Sequence, residues 1–151
     1  MLLDDVRRFG SPLFVLTGGD PLKRPDLFQL IQRSVSLGLR TTVTPSATPL
    51  LTREALARFK DSGISRMAVS LDGPTREAHD GFRGVAGSFE RTMDALHYAA
   101  EIGLETQVNT TVARVMQGAP EYDFTAPDGV ALSSRSFCRA ISASPGMAVR
   151  A

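Results

Sequence analysis

The sequence predicts an α/β fold built on a parallel sheet, with βα units following one another along the chain. Three observations carry this expectation. Between Ser11 and Thr111 a short apolar or β-branched run, a polar loop and a segment of helical periodicity recur in that order. The helical segments stop at glycines, Gly38, Gly63 and Gly103, each followed by an apolar residue, Leu39, Ile64 or Leu104, that leads into the next run. Two of the runs, 13–17 and 67–71, are almost wholly apolar, as parallel strands covered on both faces are. Right-handed crossovers make such strands parallel, in a barrel or in an open doubly wound sheet.

The opening octapeptide, Met1 to Arg8, reads as the last turns of a helix, and residues 13–17 as the first strand. A helix follows Pro25, a residue suited to an opening turn because its missing N–H needs no partner there. Leu27, Leu30, Ile31 and Val35 form its apolar stripe. Strand 40–44 comes next. Thr52 can then cap a helix through its hydroxyl, with Glu54 near the positive dipole end and Leu56 and Phe59 facing inward. After strand 67–71 and a glycine-rich loop, a third helix starts at Ser88 and is expected to bury Phe89, Met93, Leu96 and Ala100. Strand 106–111 closes the series. From Gly118 to Ala151 more than half the residues are Gly, Ala, Ser or Pro, with no sustained period. The expected organisation is a domain over 1–112 and an irregular, disordered tail over 113–151. The opening on a helix end, and the loss of pattern near Arg114 to Gln117, are what truncation or a change of reading frame would produce.

Composition narrows the functional classes. The 151 residues are 42% hydrophobic and 22% charged, with a formal charge of +1, so neither a nucleic-acid footprint nor an acidic-membrane footprint stands out. The one cysteine, Cys138, excludes an internal disulfide framework and any self-contained multi-cysteine metal site. The N-terminus has acids where a signal peptide needs an apolar run, and no apolar stretch reaches membrane-spanning length; a cytoplasmic protein is expected.

Ligands of parallel α/β folds sit at the carboxyl ends of the strands. The loops there read Thr17-Gly18-Gly19-Asp20-Pro21, Thr44-Pro45-Ser46-Ala47-Thr48, Ser70-Leu71-Asp72-Gly73-Pro74 and Asn109-Thr110-Thr111. Gly18 and Gly19 let backbone approach a ligand, and Asp20 repels phosphate beside them, which favours an ammonium over a P-loop anion. The competing reading is a plain Gly-Gly-Asp-Pro turn. Ser70 and Asp72 lie two apart, on one face of an extended strand, where they can hold a ribose or an amino-acid head group or simply form an Asp-Gly-Pro turn. Arg83 can clamp a carboxylate through its planar fork. His79 reads as solvated or capping rather than catalytic. Asn109 suits an adenine edge or a neighbouring loop equally.

Leu16-Thr17-Gly18-Gly19-Asp20-Pro21-Leu22, Val69-Ser70-Leu71-Asp72-Gly73-Pro74 and His79-Asp80-Gly81-Phe82-Arg83-Gly84, in this order and spacing, resemble the core of the radical S-adenosylmethionine (radical SAM) superfamily, closest to members with a SPASM-type extension. The resemblance runs from about Met1 to Val112. It implies a partial parallel (β/α) barrel of the radical SAM type, beginning just before that barrel's second strand. It implies that Gly18, Gly19, Asp20 and Pro21 stand for the GGEP motif holding the methionine ammonium, with Asp20 in place of Glu. Ser70, Asp72 and Arg83 would then serve the ribose or methionine carboxylate, and Asn109 the adenine. Thr44-Pro45-Ser46 departs from the Thr-Asn-Gly of many relatives. The family's cofactors are S-adenosylmethionine and a [4Fe-4S] cluster held by a CxxxCxxC loop, which this sequence lacks, so no metal ligand and no catalytic residue is assigned here. The implied parent activity is radical modification of a peptide, or of a cofactor precursor such as a haem intermediate. The chain alone is expected to be inactive, the alternatives being a non-catalytic nucleoside-binding module or a non-functional truncated product. The expected partner is a small-molecule or peptide substrate.

Overall fold

The computed structural model describes residues 2–111 of the chain; the expected tail, and Cys138 within it, lie outside them. Helix α1 (Leu2–Arg8) leads into β1 (Leu13–Leu16), a single 3₁₀ turn (Pro21–Lys23) and α2 (Leu27–Ser36). Strand β2 (Arg40–Val43), α3 (Arg53–Asp61), β3 (Arg66–Ser70), α4 (Arg76–Arg83), α5 (Ser88–Glu101) and β4 (Thr106–Asn109) complete the series. All pairings are parallel and the spatial order is β1-β2-β3-β4, so each strand lies beside its successor in the chain. That order has no reversal, which is the progression of a barrel wall rather than of a doubly wound sheet.

The helix boundaries follow from local chemistry. The Thr52 hydroxyl accepts the Ala55 N–H at the start of α3, and Gly38, Gly63 and Gly103 take φ of +74°, +76° and +66° after α2, α3 and α5. Pro25 sits just ahead of α2 rather than within it. In α5 the buried stripe is Thr92, Ala95, Leu96 and Ala99, so it is rotated from the expected one and leaves Ala100 exposed. The segment expected as a glycine-rich loop is instead helix α4. Thr75 caps it by accepting the Ala78 N–H, Gly84 stops it at φ +66°, and Gly81 is carried inside it.

The helices cover one face of the sheet. Leu27 and Ile31 of α2, Leu56 and Phe59 of α3, and Leu96 and Ala99 of α5 pack on Val43, Met67 and Val69. Phe59 is fully buried and meets Phe28 at a ring separation of 5.3 Å. The other face is concave and mixed in character, with Leu13, Val15 and Ala68 beside Thr42, Gln107 and Asn109. Both faces of the apolar runs were expected to be covered. In β3 Met67, Ala68 and Val69 are buried, though Ala68 borders the open face, and β1 is an edge strand whose Leu13 and Val15 remain 53% and 44% exposed.

Candidate functional site

A cavity of about 380 Å³ opens at the carboxyl ends of β1, β2 and β3. Its floor and walls come from three connections. The first is the β1 loop, where Gly18 adopts φ +116°, a conformation that disfavours any side chain. A Cβ at Gly18 or Gly19 would meet no atom within 4 Å, so open space lies over this backbone. The second is the loop after β2, residues 44–48, tied to the first by Ser46 Oγ donating to Gly19 O at 2.6 Å. Arg91 of α5 supports it from behind, its Nε donating to Ala47 O at 2.7 Å. The third is β3 with α4, which supplies Ser70, His79 and Arg83.

Asp20 works between the first two connections. Its Oδ1 accepts the N–H groups of Leu22 at 3.1 Å and Ser46 at 3.4 Å, while Oδ2 accepts the Thr48 hydroxyl at 2.7 Å. The carboxylate thus fixes both rim loops, and Pro21, buried beside it, opens the 3₁₀ turn.

Asp72 organises the third connection from a nearly buried position. Its Oδ1 accepts the Thr111 N–H at 2.6 Å, and Arg83 Nη2 lies 2.5 Å from Oδ2 in an ion pair whose N–H is not aligned as a hydrogen bond. The Asp72 N–H donates to His79 Nδ1 at 3.0 Å, which assigns the imidazole proton to Nε2 in the neutral ring. Burial holds the His79 pKa below its ordinary value, opposed by the charge of Asp72 and reinforced by Arg83. For Asp80 burial acts upward, but the Phe89 N–H, the Ser88 hydroxyl and the Gly87 N–H outweigh it and bring the carboxyl below its ordinary value. Those donors belong to the start of α5, so Asp80 locks α4 onto α5.

Of the residues singled out in the sequence, Gly18, Gly19, Ser70 and Arg83 line the cavity, while Asp20 and Asp72 hold its loops from behind. Asn109 lies opposite Ser70 in the parallel register, but it borders the neighbouring concave face, where its Oδ1 accepts from Gln107 Nε2 at 2.8 Å. Sequence reasoning placed the 44–48 loop on this rim but gave Thr44, Ser46 and Thr48 no role, since the loop departs from the family's Thr-Asn-Gly. It also set His79 aside. The signal that would have found it is the four-residue spacing to Arg83 on a helix, which places both side chains on one face.

Glycine backbone, hydroxyls and one arginine around a rim pocket of this size make a site for a small polar molecule bearing an anionic group, on a parallel α/β scaffold. Comparison with known proteins gives the family: the model of the Radical SAM superfamily matches residues 1–119, and the chain belongs to that superfamily. It is 42% identical over 113 residues to an AdoMet-dependent heme synthase of Oleidesulfovibrio alaskensis, covering 75% of this chain and 29% of that protein. A PqqA peptide cyclase of Rhodopseudomonas palustris is 31% identical over 113 residues, covering 75% of this chain and 30% of its own length. The chain therefore spans about three tenths of these curated relatives. Among solved structures, a domain of pyruvate-formate lyase-activating enzyme from Bacteroides vulgatus superposes with a TM-score of 0.57 at 19% identity, over 68% of this chain and 61% of that one, a likeness of fold.

The two groups this family implies fit differently. The open cradle over Gly18 and Gly19, with Ser70 and Arg83 across it, leaves room and polar partners for an amino-acid head group. An iron–sulfur cluster is not accommodated. Among the described residues no three His, Cys, Asp or Glu side chains gather to hold a metal, and the sequence has one cysteine where a cluster site takes three or four.

Proposed function

We propose that this chain carries the S-adenosylmethionine-binding rim of a radical SAM enzyme. The observation that carries the reading is the convergence of Gly18, Gly19, Ser70 and Arg83 on one cavity at the carboxyl ends of parallel strands. In this reading the Gly18-Gly19 backbone receives the methionine ammonium, with Asp20 and Pro21 fixing the loop that offers it. Arg83, held by Asp72, meets the methionine carboxylate through charge-assisted hydrogen bonds. The Ser70 hydroxyl serves the ribose or that carboxylate, and Asn109, on the neighbouring concave face, would meet the adenine where the ligand extends past Ser70. S-adenosylmethionine supplies a 5′-deoxyadenosyl group when bound beside a reduced cluster, but this sequence does not provide the thiolates for one. The chain alone therefore binds the nucleoside without cleaving it. The whole protein's substrate, on the names of its relatives, is a haem precursor or a peptide.

Calorimetric titration of S-adenosylmethionine into the full chain tests the binding claim: saturable one-to-one binding, weakened by Arg83→Met and by Ser70→Ala, is expected. Anaerobic reconstitution with iron and sulfide, followed by iron analysis and an assay for 5′-deoxyadenosine, tests the second claim. Stoichiometric iron with cleavage overturns it.

A further inference from the structure

His79 occupies a place that the binding reading does not use. It is 1% exposed, it borders the rim cavity, and its ring packs edge-on against Phe89 at 6.0 Å. Its Nδ1 takes the backbone N–H of Asp72 at 3.0 Å, the residue whose carboxylate pairs with Arg83. His79 and Arg83 are four residues apart on α4, so they project from the same face, one turn after the other. Helix α4 thus grips the end of β3 at two points of a single residue. The imidazole holds the backbone of Asp72, and the guanidinium holds its side chain. Gly73, next in the chain, brings α4 close enough for this, because a Cβ there would lie 2.7 Å from the backbone nitrogen of His79.

We infer that His79 is a positioning residue for Arg83: by anchoring α4 to the Asp72 backbone it sets where the guanidinium stands in the cavity and so how the site selects ligands that carry a carboxylate. The role requires a ring nitrogen free to accept, which the neutral Nε2-protonated form provides. A buried histidine serving only as core filler needs its volume alone, so an acceptor at the Nδ1 position separates the two roles. Asparagine places an amide oxygen near that position; glutamine of the same chemistry reaches past it, and leucine keeps bulk without an acceptor.

The carboxylate arm of the test rests on the binding reading, and a ligand-free arm does not. In the ligand-free arm, nitrogen-15 spectra of the full chain report the imidazole tautomer, the exchange of the Asp72 amide and the position of the Arg83 Nε–H resonance. Wild type is expected to show the Nε2-protonated ring, a slowly exchanging Asp72 amide and an Arg83 resonance displaced from that of a free arginine by the Asp72 carboxylate. His79→Leu and His79→Gln speed Asp72 exchange by about tenfold and move the Arg83 resonance toward the free position, and His79→Asn restores both. In the ligand arm, S-adenosylmethionine is compared with 5′-methylthioadenosine, which has no carboxylate. His79→Leu is expected to weaken the first by about tenfold and leave the second unchanged. Should wild type bind neither nucleoside, the binding reading fails while the spectra still decide the role of His79. An Nδ1-protonated ring, an Arg83 resonance unmoved in His79→Leu, or His79→Asn behaving like His79→Gln would overturn the inference. Should His79→Leu not fold, the contrast between the Asn and Gln variants decides it.

Discussion

One methyl group added at Gly73 probes the whole junction between β3 and α4. The Cβ of Gly73→Ala would stand 2.7 Å from the backbone nitrogen of His79, 2.8 Å from Ala78 Cβ and 2.9 Å from the Ala78 carbonyl carbon. Carbon contacts settle at about 3.5–4.0 Å, so α4 has to retreat by roughly 0.7–1 Å. Two of those three atoms are backbone, and a rotamer change cannot relieve the clash. Overpacking of this kind costs about 1–3 kcal/mol. The same retreat stretches the 3.0 Å bond from Asp72 N–H to His79 Nδ1 beyond useful range. Urea unfolding followed by far-ultraviolet circular dichroism suits a chain without tryptophan. With a slope of about 1.5 kcal/mol/M, the midpoint should fall by roughly 0.7–2 M at unchanged slope. Gly81→Ala is the control: it lies inside the same helix with nothing within 4 Å of the added carbon, and it should stabilise by about 0.5–1 kcal/mol. A Gly73→Ala chain as stable as wild type would refute the close docking of α4 and the reasoning built on it.

Further outcomes follow from the same contacts. Phe59→Ala empties a fully buried site between α3, Phe28 and the sheet, and should cost about 3–5 kcal/mol in the same assay. Acidification should act in two windows. The folded His79 pKa is lowered, so its contribution is complete above the ordinary value of 6.5 and lost as pH falls through the folded value; midpoints measured from pH 7.5 to 5 should decline in wild type and stay flat over that step in His79→Asn. The folded Asp80 pKa is also lowered, so its contribution stands above 3.8 and disappears below the folded value, and Asp80→Asn should flatten the acid limb of the curve. Thr48→Val removes the hydroxyl from Asp20 Oδ2 and should loosen the β2 loop, seen as faster amide exchange at Ser46 with the core amides unchanged.

The sheet was legible in the sequence because each strand ends one periodic segment and begins another. Gly38, Gly63 and Gly103 marked the helix ends by the positive φ they adopt, and Thr52 marked a beginning by its cap. Helix α4 was hidden for the opposite reason. Gly81 and Gly84 suggested a loop, and only packing shows that Gly84 is the stop and Gly81 an interior passenger. Burial of β1 was overread because an apolar run does not reveal whether its strand is central or at an edge. At the site, Gly18, Gly19 and Ser70 were legible from their place in the loops after strands, and Arg83 from the order and spacing of the segment that carries it. The engagement of Asp20 by Ser46 and Thr48, and of Asp72 by His79, joins residues that sequence spacing cannot pair in advance.

Titration of S-adenosylmethionine into nitrogen-15-labelled full chain, with the moving backbone amides mapped, tests the rim site most directly. Perturbations concentrated at Gly18, Gly19, Ser70 and the Asp72–Arg83 junction, with saturation, are the expected result. Saturable binding that instead perturbs the outer surfaces of α2 and α3, or no binding at millimolar ligand by a folded chain, would contradict it.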